Sequence, residues 1–188
     1  SVAQPTHVFA VMEEELCQRF GRRWSGFAIQ RVSAEHEARK KAAKTNRHRD
    51  INFAEIMNEL SATMNLDNHE REIVIELEAM TEVSLATVVR FGADVAEYAI
   101  RRGMQVLVVS DNYMSAQHIV NMAHAAGLAW VQESNVIVSS EHGAMKHNGT
   151  LWDVVLNHLH VDPAFVLHVG DDAIADGEFP ASRGISTH

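Results

Sequence analysis

The 188-residue sequence holds a single cysteine, Cys17. No disulfide can close within the chain, and a reducing, cytoplasmic setting is expected. No stretch approaches the roughly 18 consecutive apolar residues of a transmembrane helix. Ser1-Val2-Ala3-Gln4-Pro5 lacks the basic and apolar regions of a signal peptide and has no initiator Met, so a start further upstream is expected. Internal repeats and low-complexity tracts are absent. Aromatic residues make up only 6%, and the net charge is −9, which argues against a dedicated nucleic-acid binder. What is present is ordinary globular composition, 46% hydrophobic and 22% charged, which excludes a disordered chain or a coiled-coil rod.

The charge is unevenly spread. Residues 19–49 hold ten of the sixteen basic side chains and only Glu35 and Glu37 as acids, a balance of +8 against −17 elsewhere. The plain reading is the solvated face of a helix; the functional one is attraction of an anionic substrate.

The first half has helical periodicity. Phe9, Met12, Leu16 and Phe20 share a face that ends at Gly21. Ser25 is a candidate start for a second helix through Ala34, Ala38 and Ala42, with Arg and Lys outward. Asn52-Phe53-Ala54-Glu55 has capping-box spacing ahead of Ile56 and Leu60. Asp67 or Asn68 opens a fourth helix with Ile73, Leu77 and Met80. The pattern then changes. Gln105–Val109, Asn135–Val138 and Phe165–Val169 are short apolar runs, as in parallel strands buried on both faces. Helices over Ser115–Ala126 and Thr150–His158 separate them. This order predicts an α/β chain: a helical cap over residues 1–90 and a Rossmann-like parallel sheet core over residues 91–188.

Ligands of parallel sheets bind beyond the carboxyl ends of the strands. Ser110-Asp111-Asn112 follow the first run, Ser139, Ser140 and then Lys146 the second, and Gly170-Asp171-Asp172 with Asp176 the third. Taken singly, each is commonplace: a strand-end Ser is usually a turn residue, a loop Lys is usually solvated, and an Asp pair after Gly usually caps a turn. Taken together they form a phosphoryl-transfer set. A hydroxyl at Ser110 holds phosphate oxygen, an ammonium at Lys146 neutralises charge, and Asp171 with Asp172 or Asp176 holds Mg²⁺. The twelve His form no zinc motif, and Cys17 has no His or Asp partner that would make it a nucleophile.

Three segments resemble motifs of the haloacid dehalogenase-like (HAD) hydrolase superfamily. Val106-Leu107-Val108-Val109-Ser110-Asp111 looks like its second motif, and the loop at Lys146 like its third. His168-Val169-Gly170-Asp171-Asp172-Ala173-Ile174-Ala175-Asp176 looks like its fourth. Ser110-Asp111-Asn112-Tyr113 and the Arg31-to-Arg39 stretch are similar to HAD-like domains found alone or beside bacterial glycosyltransferases. The resemblance implies Mg²⁺-dependent phosphomonoester hydrolysis through an aspartyl-phosphate. Ser110, Asp111 and Lys146 would then attend the phosphate, and Asp171, Asp172 and Asp176 the metal. A phosphorylated small molecule is the expected substrate, with a linked glycosyltransferase domain as a possible partner.

One part of the pattern is missing. The superfamily's first motif is a central strand ending in Asp-x-Asp, whose first Asp is the nucleophile. Ser1 to Pro5 contain no acid, and Glu13-Glu14-Glu15 fall within an expected helix. The chain is therefore expected to be either a fragment that begins after the nucleophile, inactive alone, or a degenerate, non-catalytic domain that binds a phosphorylated ligand or supports a glycosyltransferase.

Overall fold

A computed structural model describes residues 5–188; the acid-free stretch ahead of Pro5 lies outside the described residues. Four helices build the first half: α1 (Pro5–Phe20), α2 (Phe27–Thr45), α3 (Phe53–Met64) and α4 (Asn68–Leu85). The expected cap forms at Asn52, and of the two candidates for α4 Asp67 is the cap; each accepts the backbone N–H three residues on and donates its own backbone N–H to the Glu carboxylate there. Ser25 does not start α2. Gly26 precedes it in a left-handed conformation, and the Glu13 carboxylate of α1 accepts the N–H groups of Gly26 and Ala28, both at 2.9 Å. An anion at a helix N-terminus satisfies orphan donors and complements the dipole. Those two bonds hold the Glu13 carboxyl below the usual glutamate range.

Phe9, Met12, Leu16, Phe27, Ile56, Met57, Leu60 and Val74 interlock as the core of this half. Met80, expected inward, is exposed. Arg31, expected outward, is fully buried. Its Nε and Nη2 donate to Glu78 on α4 at 2.9 and 2.6 Å, and its guanidinium lies over the rings of Phe9 and Tyr113. The rest of the basic run is extensively paired: Arg39 with Glu35 and Asp50, Lys41 with Glu59, and Arg49 with Glu55.

The second half begins with α5 (Arg90–Arg101), which the apolar pattern did not announce. It continues through β1 (Val108–Ser110), α6 (Ala116–Ala125), β2 (Val136–Val138), α7 (Ser139–His142), α8 (Thr150–Leu159) and β3 (Leu167–His168). A π-helical turn (Ala173–Glu178), α9 (Phe179–Ala181) and β4 (Ser186–Thr187) complete it. Ser115 caps α6 as expected, and α6 packs on α4 of the helical half. No helix of the described residues is long and apolar enough to cross a membrane.

The expected Rossmann-like parallel sheet core is not what forms. The described chain is mostly helical, with two separate two-stranded parallel pairs, β1–β2 and β3–β4. Only β2 is buried throughout. Phe165 is 86% exposed and Leu167 62%, so the run that reads as a doubly buried strand has lost its cover. Pairing is a non-local property. An apolar run shows that a strand is fit for burial, but not that both of its edges find neighbours.

Candidate active site at the strand ends

Ser110 closes β1, and Asp111 follows it. The Asp111 oxygens face the next loop rather than open space: Oδ1 accepts the Lys146 N–H at 2.7 Å and Oδ2 the His147 N–H at 3.3 Å. Asp111 therefore orders the lysine loop. Burial pushes its carboxyl above the usual aspartate range, against the pull of those N–H groups and of the Lys146 charge.

Lys146 heads a single 3-10 turn, Lys146–Asn148. Its ammonium reaches Asp176 Oδ1 at 2.7 Å, and His168 Nε2 on β3 approaches the same oxygen at 2.9 Å. Oδ2 of Asp176 accepts the Asp172 N–H at 3.3 Å. Both Asp176 oxygens are thus engaged by protein donors. Burial pushes its carboxyl up, but the Lys146 and His168 contacts prevail and hold it below the ordinary range. His168 is shifted the other way from its partner's pull: burial keeps its imidazole below the usual histidine value despite Asp176. Its ring meets Trp152 edge-on, and the Trp152 indole N–H donates to Ala175 O at 3.0 Å, fixing the π-helical turn that carries Asp176.

The other two acids differ. Asp172 Oδ1 accepts the N–H groups of Ala175 and Ile174 at 2.7 and 2.9 Å, which lowers its pKa and makes it the cap of that turn. Asp171 is exposed, and its carboxylate is free of protein partners among the described residues. Gly170 permits the arrangement, since a Cβ there would lie 2.5 Å from Asp176 Cγ.

The structure thus joins Asp111, Lys146 and Asp176 through direct bonds, with Ser110 at the end of β1. Asp171 stands beside this chain of contacts without joining it. Among the described residues no group of three or more His, Cys, Asp or Glu side chains forms a cation cage. Mg²⁺ ordinarily takes one or two carboxylates and completes its shell with water and substrate phosphate. Asp171, with oxygens uncommitted to protein donors, fits that demand; Asp176 fits it only by giving up Lys146 or His168.

Sequence reasoning missed Asp50. This buried carboxylate, between α2 and α3, accepts from Arg39 Nη1 at 2.7 Å, from the Ile51 N–H at 2.8 Å and from Ser139 Oγ at 2.5 Å. Ser139 in turn accepts the Asn112 N–H at 2.9 Å. Tyr113 makes a second tie: its Oη lies 3.0 Å from Glu78 Oε1 and 2.9 Å from Glu82 Oε1, sharing one proton between two acceptors. The loop after β1 is therefore fastened to the helical half on both sides. The Arg31-to-Arg39 stretch was a visible sign of this, since its two ends supply the cations of the two ties. No family model matches this chain, and no curated protein matches it.

Proposed function

We propose that the chain is a HAD-type phosphomonoester hydrolase domain whose described residues form the phosphate- and Mg²⁺-handling side of the site. The supporting observation is the Lys146 ammonium, held at the strand ends by Asp176 and, through its backbone, by Asp111 beside Ser110. Lys146 meets a phosphoryl group as a point charge, and Ser110 offers a hydroxyl to its oxygens. Asp171 would hold Mg²⁺, whose chemistry is to neutralise charge developing on the phosphoryl oxygens. Asp172 keeps the turn that presents Asp171 in place. The helical half, tied to the loop after β1, would lie beside the bound substrate and restrict access to it.

The reaction through an aspartyl-phosphate needs an unencumbered carboxylate opposite the phosphorus. Asp50, Asp111, Asp172 and Asp176 are each committed to protein donors. That commitment favours a second reading, in which the domain binds a phosphorylated small molecule without turning it over.

Calorimetric Mg²⁺ titration tests the metal assignment. Asp171→Asn should weaken binding at least tenfold, whereas Lys146→Ala should leave it nearly unchanged, because a charged Lys does not ligate Mg²⁺. Equal loss in both variants, or none in Asp171→Asn, refutes it. Hydrolysis of an aryl phosphate, measured after a strand ending in Asp-x-Asp has been joined ahead of the chain, separates the two readings: turnover that then appears and disappears in Lys146→Ala supports the enzyme, and phosphate binding still without turnover supports the binding domain.

A further inference from the structure

Two donors of different character meet on one oxygen. Asp176 Oδ1 receives the Lys146 ammonium at 2.7 Å and His168 Nε2 at 2.9 Å. An ionised carboxylate only accepts, so Nε2 carries the hydrogen of the second bond. The histidine is fixed in place. It lies on β3 opposite Thr187 of β4, and its carbonyl accepts the His188 N–H at 2.9 Å. Its ring meets Trp152 with centroids 4.4 Å apart. The lysine is held only by its backbone, through Asp111. Its ammonium ends a flexible four-carbon stem and has no acceptor but Asp176 among the described residues.

The carboxylate between them is fixed as well. Its Oδ2 accepts the Asp172 N–H, and its own N–H donates to Asp172 O at 2.9 Å. The Trp152 indole holds the preceding carbonyl of Ala175. With its side chain 6% exposed, Asp176 has little access to water that could replace a lost donor.

This arrangement matters when an anion arrives. The Lys146 charge is already engaged, so a phosphate brought to it competes with Asp176 for one cation. Were the ammonium the sole donor on Oδ1, its departure would leave a buried carboxylate oxygen unpaired, which costs more than stranding a neutral group. The His168 N–H stays on that oxygen when the ammonium leaves, and the Asp172 N–H stays on the other.

We infer, resting on the phosphate reading of this site, that His168 is a positioning residue: it keeps Asp176 bonded so that Lys146 can turn from that carboxylate to a substrate phosphoryl group. His168 acts through Asp176 and does not itself touch the phosphate. Asp176 is then a competitor of phosphate for Lys146, and the worth of His168 to phosphate binding depends on the charge of Asp176.

Calorimetric titration of the full chain with inorganic phosphate, in Mg²⁺ and again in EDTA, tests this, each variant being compared with wild type in the same buffer. His168→Leu should weaken phosphate binding at least about tenfold, the equivalent of one hydrogen bond to a charged group. His168→Gln keeps an N–H donor near the position of Nε2 and should recover most of that loss. Asp176→Asn should tighten phosphate binding in EDTA, because it releases the lysine, and adding His168→Leu to it should then change little. A role of His168 in packing alone would weaken binding equally in both backgrounds. Such equal weakening, unchanged binding in His168→Leu, or a Gln variant as weak as the Leu variant would overturn the inference and leave the phosphate reading standing. A wild type that binds no phosphate in either buffer would overturn both. The comparison of Gln with Leu decides the matter even if Asp176→Asn does not fold.

Discussion

Lys146 and Asp176, thirty residues apart, meet at 2.7 Å with side chains 15% and 6% exposed. They couple the loop after α7 to the π-helical turn after β3. Removing one member of such a partly desolvated pair strands the other, so Asp176→Asn should destabilise the fold by about 3 kcal/mol, and Lys146→Met by less, because His168 still faces Asp176. Urea unfolding of both variants measures the difference.

The same carboxylate carries a pH signature. Its folded pKa is lowered, so its stabilising contribution is present above the ordinary aspartate value near 3.8 and is lost as pH falls through the folded value. Asp153 and Glu55, both lowered by arginine contacts, act in the same acid range. Wild-type stability should fall steeply below about pH 4, and Asp176→Asn should flatten part of that fall.

His168 works in a different window. Burial lowers its folded pKa, so the unfolded chain binds a proton first as pH drops. Stability should therefore decline as pH falls from 6.5 toward the folded value. Asp176→Asn removes a contact that favours the imidazolium and should shift the His168 midpoint lower still. NMR titration of the His168 ring protons reads this directly; an upward shift would contradict the geometry.

Arg31 and Glu78 offer a test of the helical half. Arg31→Met leaves Glu78 buried without its cation and should cost about 3–5 kcal/mol. Arg31→Met with Glu78→Leu removes both charges and should recover most of that loss, visible as a melting temperature close to wild type.

Gly170→Ala would put a Cβ within 2.5 Å of Asp176 Cγ and 2.6 Å of its Cβ. Asp176 must retreat, so the variant should lose about 1–3 kcal/mol and weaken the Lys146 contact. An unchanged His168 titration in this variant would show that the turn absorbs the methyl group without moving.

Local chemistry in the sequence determined α1, α3 and α4 and the caps of α3 and α4, but neither the start of α2 nor α5. Asn52-Phe53-Ala54-Glu55 and Asp67 with Glu70 close capping boxes from residues three apart, and Phe9, Met12 and Leu16 share a face by helical spacing alone. The order of strand-end residues is equally legible: Ser110 closes β1, Lys146 follows β2, and Asp171, Asp172 and Asp176 follow β3. Other features were decided only in three dimensions, because they depend on partners distant in the chain. The Arg31 guanidinium is buried because Glu78 waits forty-seven residues away, and Asp50 matters because Ser139 reaches it across eighty-nine. Neither pairing leaves a periodic trace. The division of the strands into two pairs has the same origin: Gln105–Val109 and Phe165–Val169 carry the side chains of buried strands, but a hydrogen-bonded edge belongs to two segments at once. Among the described residues no strand joins β1 to β3, and an apolar groove lies against both.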